Sequence, residues 1–383
     1  LGRAGLSGFG VYIHWPYCAA ICPYCDFNVY RAKDRDPEPL LEALIADLEG
    51  HAARFPTSPA QTLFLGGGTP SLLNGRQIGR LLAAVERILG LTPGAEITLE
   101  ANPEDRSRFA EQAAAGINRF SIGAQALDDA ALKALGRFHA SAEAEAAVEA
   151  AARTGGRVSL DLIYARHGQS LSDWDKELRR ALSWPVEHAS LYQLTVKAGT
   201  AFARAQARGV LAAPGPELAS AFYEATLMTT QALGFPAYEV SNHARNRAAW
   251  SAHNLLYWTG GQWLGLGPGA HGRLLTPKGL IATEAHARPE AYIRAVRETG
   301  IGWDQSSCLT GEEAGDERLL MGLRTVLGAP IADIEAFWGR PMRRDRLALL
   351  QSEGFLTAED GFVRLTAKGL IVADRIALEL STP

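Results

Sequence analysis

Six short apolar runs, each followed by a helix-like stretch, set the architecture open to this chain. The runs are Val11–Trp15, Thr62–Leu65, Glu96–Glu100, Arg119–Gly123, Arg157–Tyr164 and Ala189–Leu194. Most carry little polar interruption, the pattern of parallel strands buried on both faces. Helical patterns lie between them at Glu38–Phe55, Arg76–Leu89, Asp105–Ala115, Asp128–Leu135 with Ala142–Arg153, and Ser172–Ser183. Ser141 ahead of Glu143 and Glu145, and the pair Ser172-Asp173, read as capping signals. Such alternation predicts a parallel α/β fold. No GxGxxG follows the first strand, and every chemistry-bearing motif lies just after a predicted strand. A curved, partly closed (β/α)6 barrel, with its site at the C-terminal strand ends, fits this better than an open doubly wound sheet.

The second half reads differently. Pro214-Gly215-Pro216 breaks the pattern, and a helix follows over Glu217–Leu233. The Gly-, His- and Trp-rich stretch Tyr238–Arg273 reads as loop-dominated. From Gly311 onward, helices at Glu312–Leu327, Ile331–Trp338 and Asp345–Gly354 precede two short strands, Leu356–Thr357 and Phe362–Leu365. A last helix covers Thr366–Leu380. This order predicts a small α+β, winged-helix-like domain. The expected division is a barrel over 1–235, a connecting segment over 236–300 and a C-terminal domain over 301–383.

A formal net charge of −4 gives no electrostatic support for a nucleic-acid partner. No window of eighteen uninterrupted apolar residues predicts a transmembrane span, which leaves peripheral membrane association open. The opening LGRAGLSGFGVYIHW lacks the long apolar core of a secretory signal. Of four cysteines, three fall within eight residues and the fourth is Cys308. A tight cluster in a long chain points to metal binding in a reducing compartment, by default the cytoplasm. Cys308 reads as a small buried apolar residue.

The cluster reads IHWPYCAAICPYCDF, spaced Cys18-x3-Cys22-x2-Cys25. Thiolates hold iron–sulfur cubanes, usually in fours. Three leave one iron free for a small molecule bearing amino and carboxylate groups. Mononuclear zinc is the competing reading, but it wants a second ligand pair, and none follows. Phe64-Leu65-Gly66-Gly67-Gly68-Thr69-Pro70 comes after the second strand. Its glycines let backbone approach a ligand closely, with N–H and C=O groups to bind charged termini. Glu100 closes the third strand, and Ser121-Ile122-Gly123-Ala124-Gln125 the fourth, with Gly136-Arg137-Phe138-His139 beyond. Asp161 interrupts the apolar run SLDLIY; buried there, it needs a partner, either Arg137 or a ligand. Tyr12 on the first strand could face the opening.

These motifs resemble the radical S-adenosylmethionine superfamily. The longer set VYIHWPYC, CPYCDF, FLGGGTPSLL, ITLEANPE, IGAQALDDAALKALGRFH, SLDLIY, SLYQLT, YEVSNHAR, HNLLYW, GLGPGAHG and LLMGLR is similar to the oxygen-independent coproporphyrinogen III oxidase group. Within that group it resembles the HemW family of heme chaperones. The resemblance implies a [4Fe–4S] cluster on Cys18, Cys22 and Cys25 in a partial (β/α)6 radical barrel. It implies S-adenosylmethionine contacts from Tyr12, Tyr24, Gly67, Gly68, Thr69, Glu100, Gln125, Arg137 and Asp161. In that superfamily the cluster reduces the sulfonium to release a 5′-deoxyadenosyl radical.

Two features separate the branches of that group. The oxidases carry a fourth cysteine two residues after the last cluster ligand, where this chain has Phe27. A phenyl ring has no thiol chemistry, which puts oxidative decarboxylation of propionates in doubt. His253-Asn254-Leu255-Leu256-Tyr257-Trp258 matches the HNxxYW motif of the chaperones. The resemblance therefore implies heme bound at His253, Asn254, Tyr257 and Trp258, with His253 on the iron. A satisfied loop histidine is the plain alternative, and His243 and His271 are competing ligands. His14 reads as structural or near the cluster. His167 stands where the family usually has proline, and Ile21 where it often has lysine. The expected function is a heme chaperone passing heme to an acceptor protein; the alternative is coproporphyrinogen III dehydrogenase.

Overall fold

The structure, a computed structural model, describes residues 8–33 and 35–382. Part of the expectation that no secretory signal opens the chain falls on residues 1–7, outside the described residues. The apolar runs form strands in the predicted order: β1 (Phe9–Trp15), β2 (Ala60–Gly67), β3 (Leu91–Ala101), β4 (Arg119–Gln125), β5 (Arg157–Tyr164) and β6 (His188–Gln193). They lie side by side and parallel. Val11, Leu63, Leu99, Phe120, Leu160 and Leu191 are buried along them. Each large apolar side chain so covered stabilises the fold by about 1.5–3 kcal/mol.

Helices α1 (Glu38–Ala52), α2 (Gly75–Ile88), α3 (Phe109–Ala114), α4 (Asp129–Ala134), α5 (Ser141–Arg153) and α6 (Leu171–Ser183) fill the crossovers. Asn74 and Gln77 close a reciprocal cap on α2. Two caps sit one or two residues earlier than the sequence suggested. Ser170, not Ser172, caps α6, and Ser141 is already helical while Glu143 accepts the Ala140 N–H at 2.9 Å. In both cases the residue with extended backbone precedes the polar residue that the sequence offered.

The segment 236–300 is largely regular structure, including the stretch Tyr238–Arg273 expected to be loop-dominated. It supplies β7 (Asn242–Ala244), β8 (Gln262–Leu266), β9 (His271–Thr276) and β10 (Gly279–Ala285), and β11 (Trp303–Cys308) follows. The order across this sheet is β11-β10-β9-β8-β1-β2-β3-β4-β5-β6-β7. β8 runs parallel to β1; β7 and β9–β11 are antiparallel. The glycines that suggested loop instead permit close strand packing. A Cβ on Gly265 would lie 2.0 Å from the His271 carbonyl oxygen. The result is a partial barrel extended at both edges. Cys308, expected to be buried, is exposed on the edge strand β11.

The C-terminal region is helix Gly311–Leu323, strand Ala329–Pro330, helices Ile331–Trp338 and Arg344–Ser352, hairpin Leu356–Glu359/Phe362–Leu365, and helices Ala367–Leu370 and Ala373–Ser381. It buries its own core of Leu319, Leu323, Ile334, Val363, Ile376 and Leu380. This is the winged α+β arrangement expected from the sequence. Arg273 on β9 pairs with Glu317 at 2.9 Å and ties it to the sheet. No helix among the described residues is long and apolar enough to cross a membrane.

Candidate functional site

The loop after β1 is pinned before it reaches its second cysteine. Tyr17–Cys18 pairs with Tyr30–Arg31, and the Ala32 N–H donates to the Cys18 carbonyl at 2.7 Å. Asn28 donates to the carbonyls of Pro268 and Ala287, so residues far along the chain anchor the same loop. From the other side, Gly136 (φ +70°) packs where a Cβ would meet Pro23 at 2.5 Å. The three thiols form no disulfide and line one cavity of about 390 Å³. Among the described residues, no three His, Cys, Asp or Glu side chains converge on one metal ion. A cubane has separate iron corners, so it suits sulfurs spread round a loop. Burial pushes the Cys18 thiol up to about 11 and raises Cys25 as well. Iron binding here must therefore displace protons.

The glycine loop lies against this loop. Gly67 has φ +104°, and a Cβ there would strike the His14 ring at 2.4 Å. At Gly68 a Cβ would lie 2.8 Å from three backbone atoms of residues 15–17. Both positions therefore demand glycine. The Gly67 N–H donates to Glu100, the Gly68 N–H to the Trp15 carbonyl and the Thr69 N–H to the Tyr17 carbonyl. With those N–H groups engaged, the backbone polarity left for a ligand is the carbonyl side, which suits an ammonium rather than a carboxylate.

Glu100 and Asp161 project into the cavity from β3 and β5. Burial pushes Glu100 up to about 7, against the Gly67 hydrogen bond, and Asp161 to about 6. Both then sit near the boundary between charged and neutral at physiological pH. Asp161 is held by the Ser121 hydroxyl at 3.0 Å, not by Arg137 as one sequence alternative had it. Arg137 instead donates to Asn102 at 2.6 Å and to the Gly123 carbonyl, and its Nη1 lies 3.7 Å from Cys22 Sγ. Asn102 also reaches Thr69. A polar chain thus links the glycine loop to a cysteine through Asn102, which the sequence reading missed although it sits in the quoted LEANPE. Tyr24 and Gln125 line the same cavity. Gln125 adopts φ +66° at the end of β4, a cost of order 1 kcal/mol that marks a constrained position.

Tyr12 does not line this cavity. It lines a second one, of about 660 Å³, which shares Asp26, Phe27, Gly67, Glu100, Ser121, Asp161 and Tyr192 with the first. Both volumes lie in the range of ligand sites. Phe27 stands on this shared border, 63% exposed. The second cavity has an aromatic wall of Tyr12, Phe64, Tyr257 and Trp263. Tyr257 and Trp263 rings are 4.5 Å apart.

The helix Ala252–Trp258 presents His253, Asn254 and Tyr257 to this cavity. His253 is 1% exposed and stacks on Phe64 at 5.0 Å. Its Nδ1 lies 2.8 Å from the Thr62 hydroxyl and its Nε2 2.6 Å from the Tyr257 hydroxyl. Burial pushes its pKa down to about 3, so the ring is neutral. Both nitrogens are engaged, the satisfied state that the sequence held as the plain alternative. Trp258 faces away, with Arg324 over its ring at 5.4 Å. Trp263, which sequence reasoning missed, takes the wall position expected of Trp258. Its place in the strand pattern QWLGL was the available signal. His243 is buried outside both cavities, and His14 bonds Tyr12 and the Asn28 carbonyl. Arg119 and Glu96, paired at 2.9 Å, meet the Ala249 and Trp250 carbonyls and the His253 N–H beneath this cavity.

Residues 12–181 match the radical SAM superfamily, and residues 309–372 match the HemN C-terminal domain. "Heme chaperone HemW" of Mycobacterium tuberculosis is 37% identical over 99% of this chain and 97% of its own length. The Escherichia coli protein of the same name is 33% identical over 98% of both. "Radical S-adenosyl methionine domain-containing protein 1, mitochondrial" of Bos taurus is 37% identical, covering 98% of this chain and 88% of its own length. Among solved structures, coproporphyrinogen III oxidase (HemN) from Escherichia coli superimposes with a TM-score of 0.82 at 21% identity. It covers 98% of this chain and 90% of its own. That likeness is one of fold.

Proposed function

Because the chain belongs to the HemW family of the radical S-adenosylmethionine superfamily, we propose that it is a heme chaperone. In this reading it binds heme, hands it to an acceptor protein, and carries a [4Fe–4S] cluster with S-adenosylmethionine. The observation that carries the reading is the second cavity. It is large, walled by flat rings, and opens onto the cysteine cavity across a phenyl group.

Three free thiols on a doubly pinned loop, with an arginine beside one of them, fit a cubane. When bound, cluster and S-adenosylmethionine together supply one-electron chemistry at a sulfonium. Cys18, Cys22 and Cys25 would ligate the cluster. The carbonyl side of Gly67, Gly68 and Thr69 would take the ammonium, and Glu100 and Asp161 the hydroxyl-bearing portion. Tyr24, Gln125 and Arg137 would enclose it. Tyr12 lines the neighbouring cavity and stands outside this set. Stacked aromatic side chains suit a porphyrin plane through offset contacts. Phe27 removes the proton and redox chemistry of a thiol at that border.

The test is a hemin titration of the anaerobically reconstituted protein beside an assay on coproporphyrinogen III with reductant and S-adenosylmethionine. Saturable heme binding without decarboxylated product is the expected result. Many turnovers to protoporphyrinogen would refute it.

A further inference from the structure

We propose that His271, not His253, is the axial ligand to the iron of heme held in the second cavity; this rests on the heme reading above. Four histidines line that cavity: His14, His188, His253 and His271. An imidazole must offer a lone pair to iron, so a ring nitrogen already hydrogen-bonded inside the protein has to break that bond first. His14 and His253 have both nitrogens engaged. His188 has an unpartnered Nδ1, but it is 1% exposed and its Nε2 is held by Tyr238. His271 differs from all three. It opens β9 at the mouth, its side chain is exposed, and neither ring nitrogen bonds another described residue.

The surroundings of His271 fit the same assignment. The Trp263 indole N–H donates to the His271 backbone carbonyl at 2.9 Å, which fixes the backbone beside the aromatic wall. Glu284 is the cross-strand partner of His271 and lines the cavity too. The other charges lining the cavity are mostly acidic: Asp26, Glu100 and Asp161, with Arg119 already paired to Glu96. A ligand at the mouth also leaves the heme edge open to an acceptor.

Hemin is titrated into the wild type and into His271→Ala, His253→Ala and His271→Gly, with cluster iron content as the folding control. Absorption and magnetic circular dichroism report the axial ligand. We expect His271→Ala to lose the histidine-ligated signature and to bind hemin about tenfold or more weakly. Added imidazole restores the signature in His271→Gly, and His253→Ala keeps it. An unchanged signature in His271→Ala, or its loss only in His253→Ala, overturns this inference and leaves heme binding standing. No bound-heme band in the wild type overturns the heme reading itself.

Discussion

Replacing Glu100 by glutamine should stabilise the cluster-free protein at pH 8 and hardly change it at pH 4. Burial lifts this carboxyl from 4.5 to about 7. At about 1.4 kcal/mol per unit, the shift is worth about 3 kcal/mol. At pH values below about 4.5 the group is protonated in both folded and unfolded chains, and its preference for the folded state is fully present. As pH rises through 4.5, the unfolded chain loses the proton and the folded chain keeps it. Stability then falls until the folded group ionises near pH 7. Asp161, lifted from 3.8 to about 6, repels Glu100 and titrates with it as a pair. The amide cannot ionise, yet its carbonyl can still accept the Gly67 N–H. Equilibrium urea unfolding of both proteins at several pH values reads the loss of the Glu100 titration together with the relief of its repulsion on Asp161. The variant should gain up to about 3 kcal/mol at pH 8 while losing S-adenosylmethionine affinity in equilibrium dialysis. Unfolding curves that stay parallel from pH 5 to pH 8 would refute the burial argument.

Gly68→Ala forces a methyl to within 2.8 Å of three backbone atoms; it should cost about 1–3 kcal/mol in denaturant unfolding and reduce reconstituted cluster content. Arg119→Met removes the shorter ion pair of the buried Glu96 carboxylate and leaves it Arg157 at 3.8 Å and the His253 N–H; it should cost about 3 kcal/mol. The double variant Glu96→Leu/Arg119→Met should recover much of that loss in the same measurement. Cys308→Ser, on the exposed edge strand, should leave iron and acid-labile sulfide unchanged, whereas Cys18→Ala, Cys22→Ala or Cys25→Ala should abolish both.

The candidate site divides by how local its signals are. The cysteine spacing and the triple glycine were legible because each follows a strand directly, and the carboxylates of β3 and β5 because each interrupts or closes an apolar strand; parallel strands bring all such positions to one face. Asn102 was overlooked because its role depends on Arg137 from a distant loop. Trp258 and Trp263 were exchanged because five residues decide which faces the cavity and which faces the C-terminal domain. Cys308 was misplaced because hydrophobicity says nothing about whether a strand lies in the middle or at the edge of a sheet.

From the amino-acid order alone came the run of alternating strands and helices, the winged C-terminal unit and the thiolate loop, since each depends on near neighbours and backbone preference. Folding in three dimensions settled the rest. It brought Gln262–Leu266 alongside β1 as a seventh parallel strand, although some 250 residues separate them. It also decided which histidines spend their nitrogens on neighbours, as His253 does on Thr62 and Tyr257. A hydrogen bond needs both partners in place, and only the packed chain puts Thr62 within reach of His253.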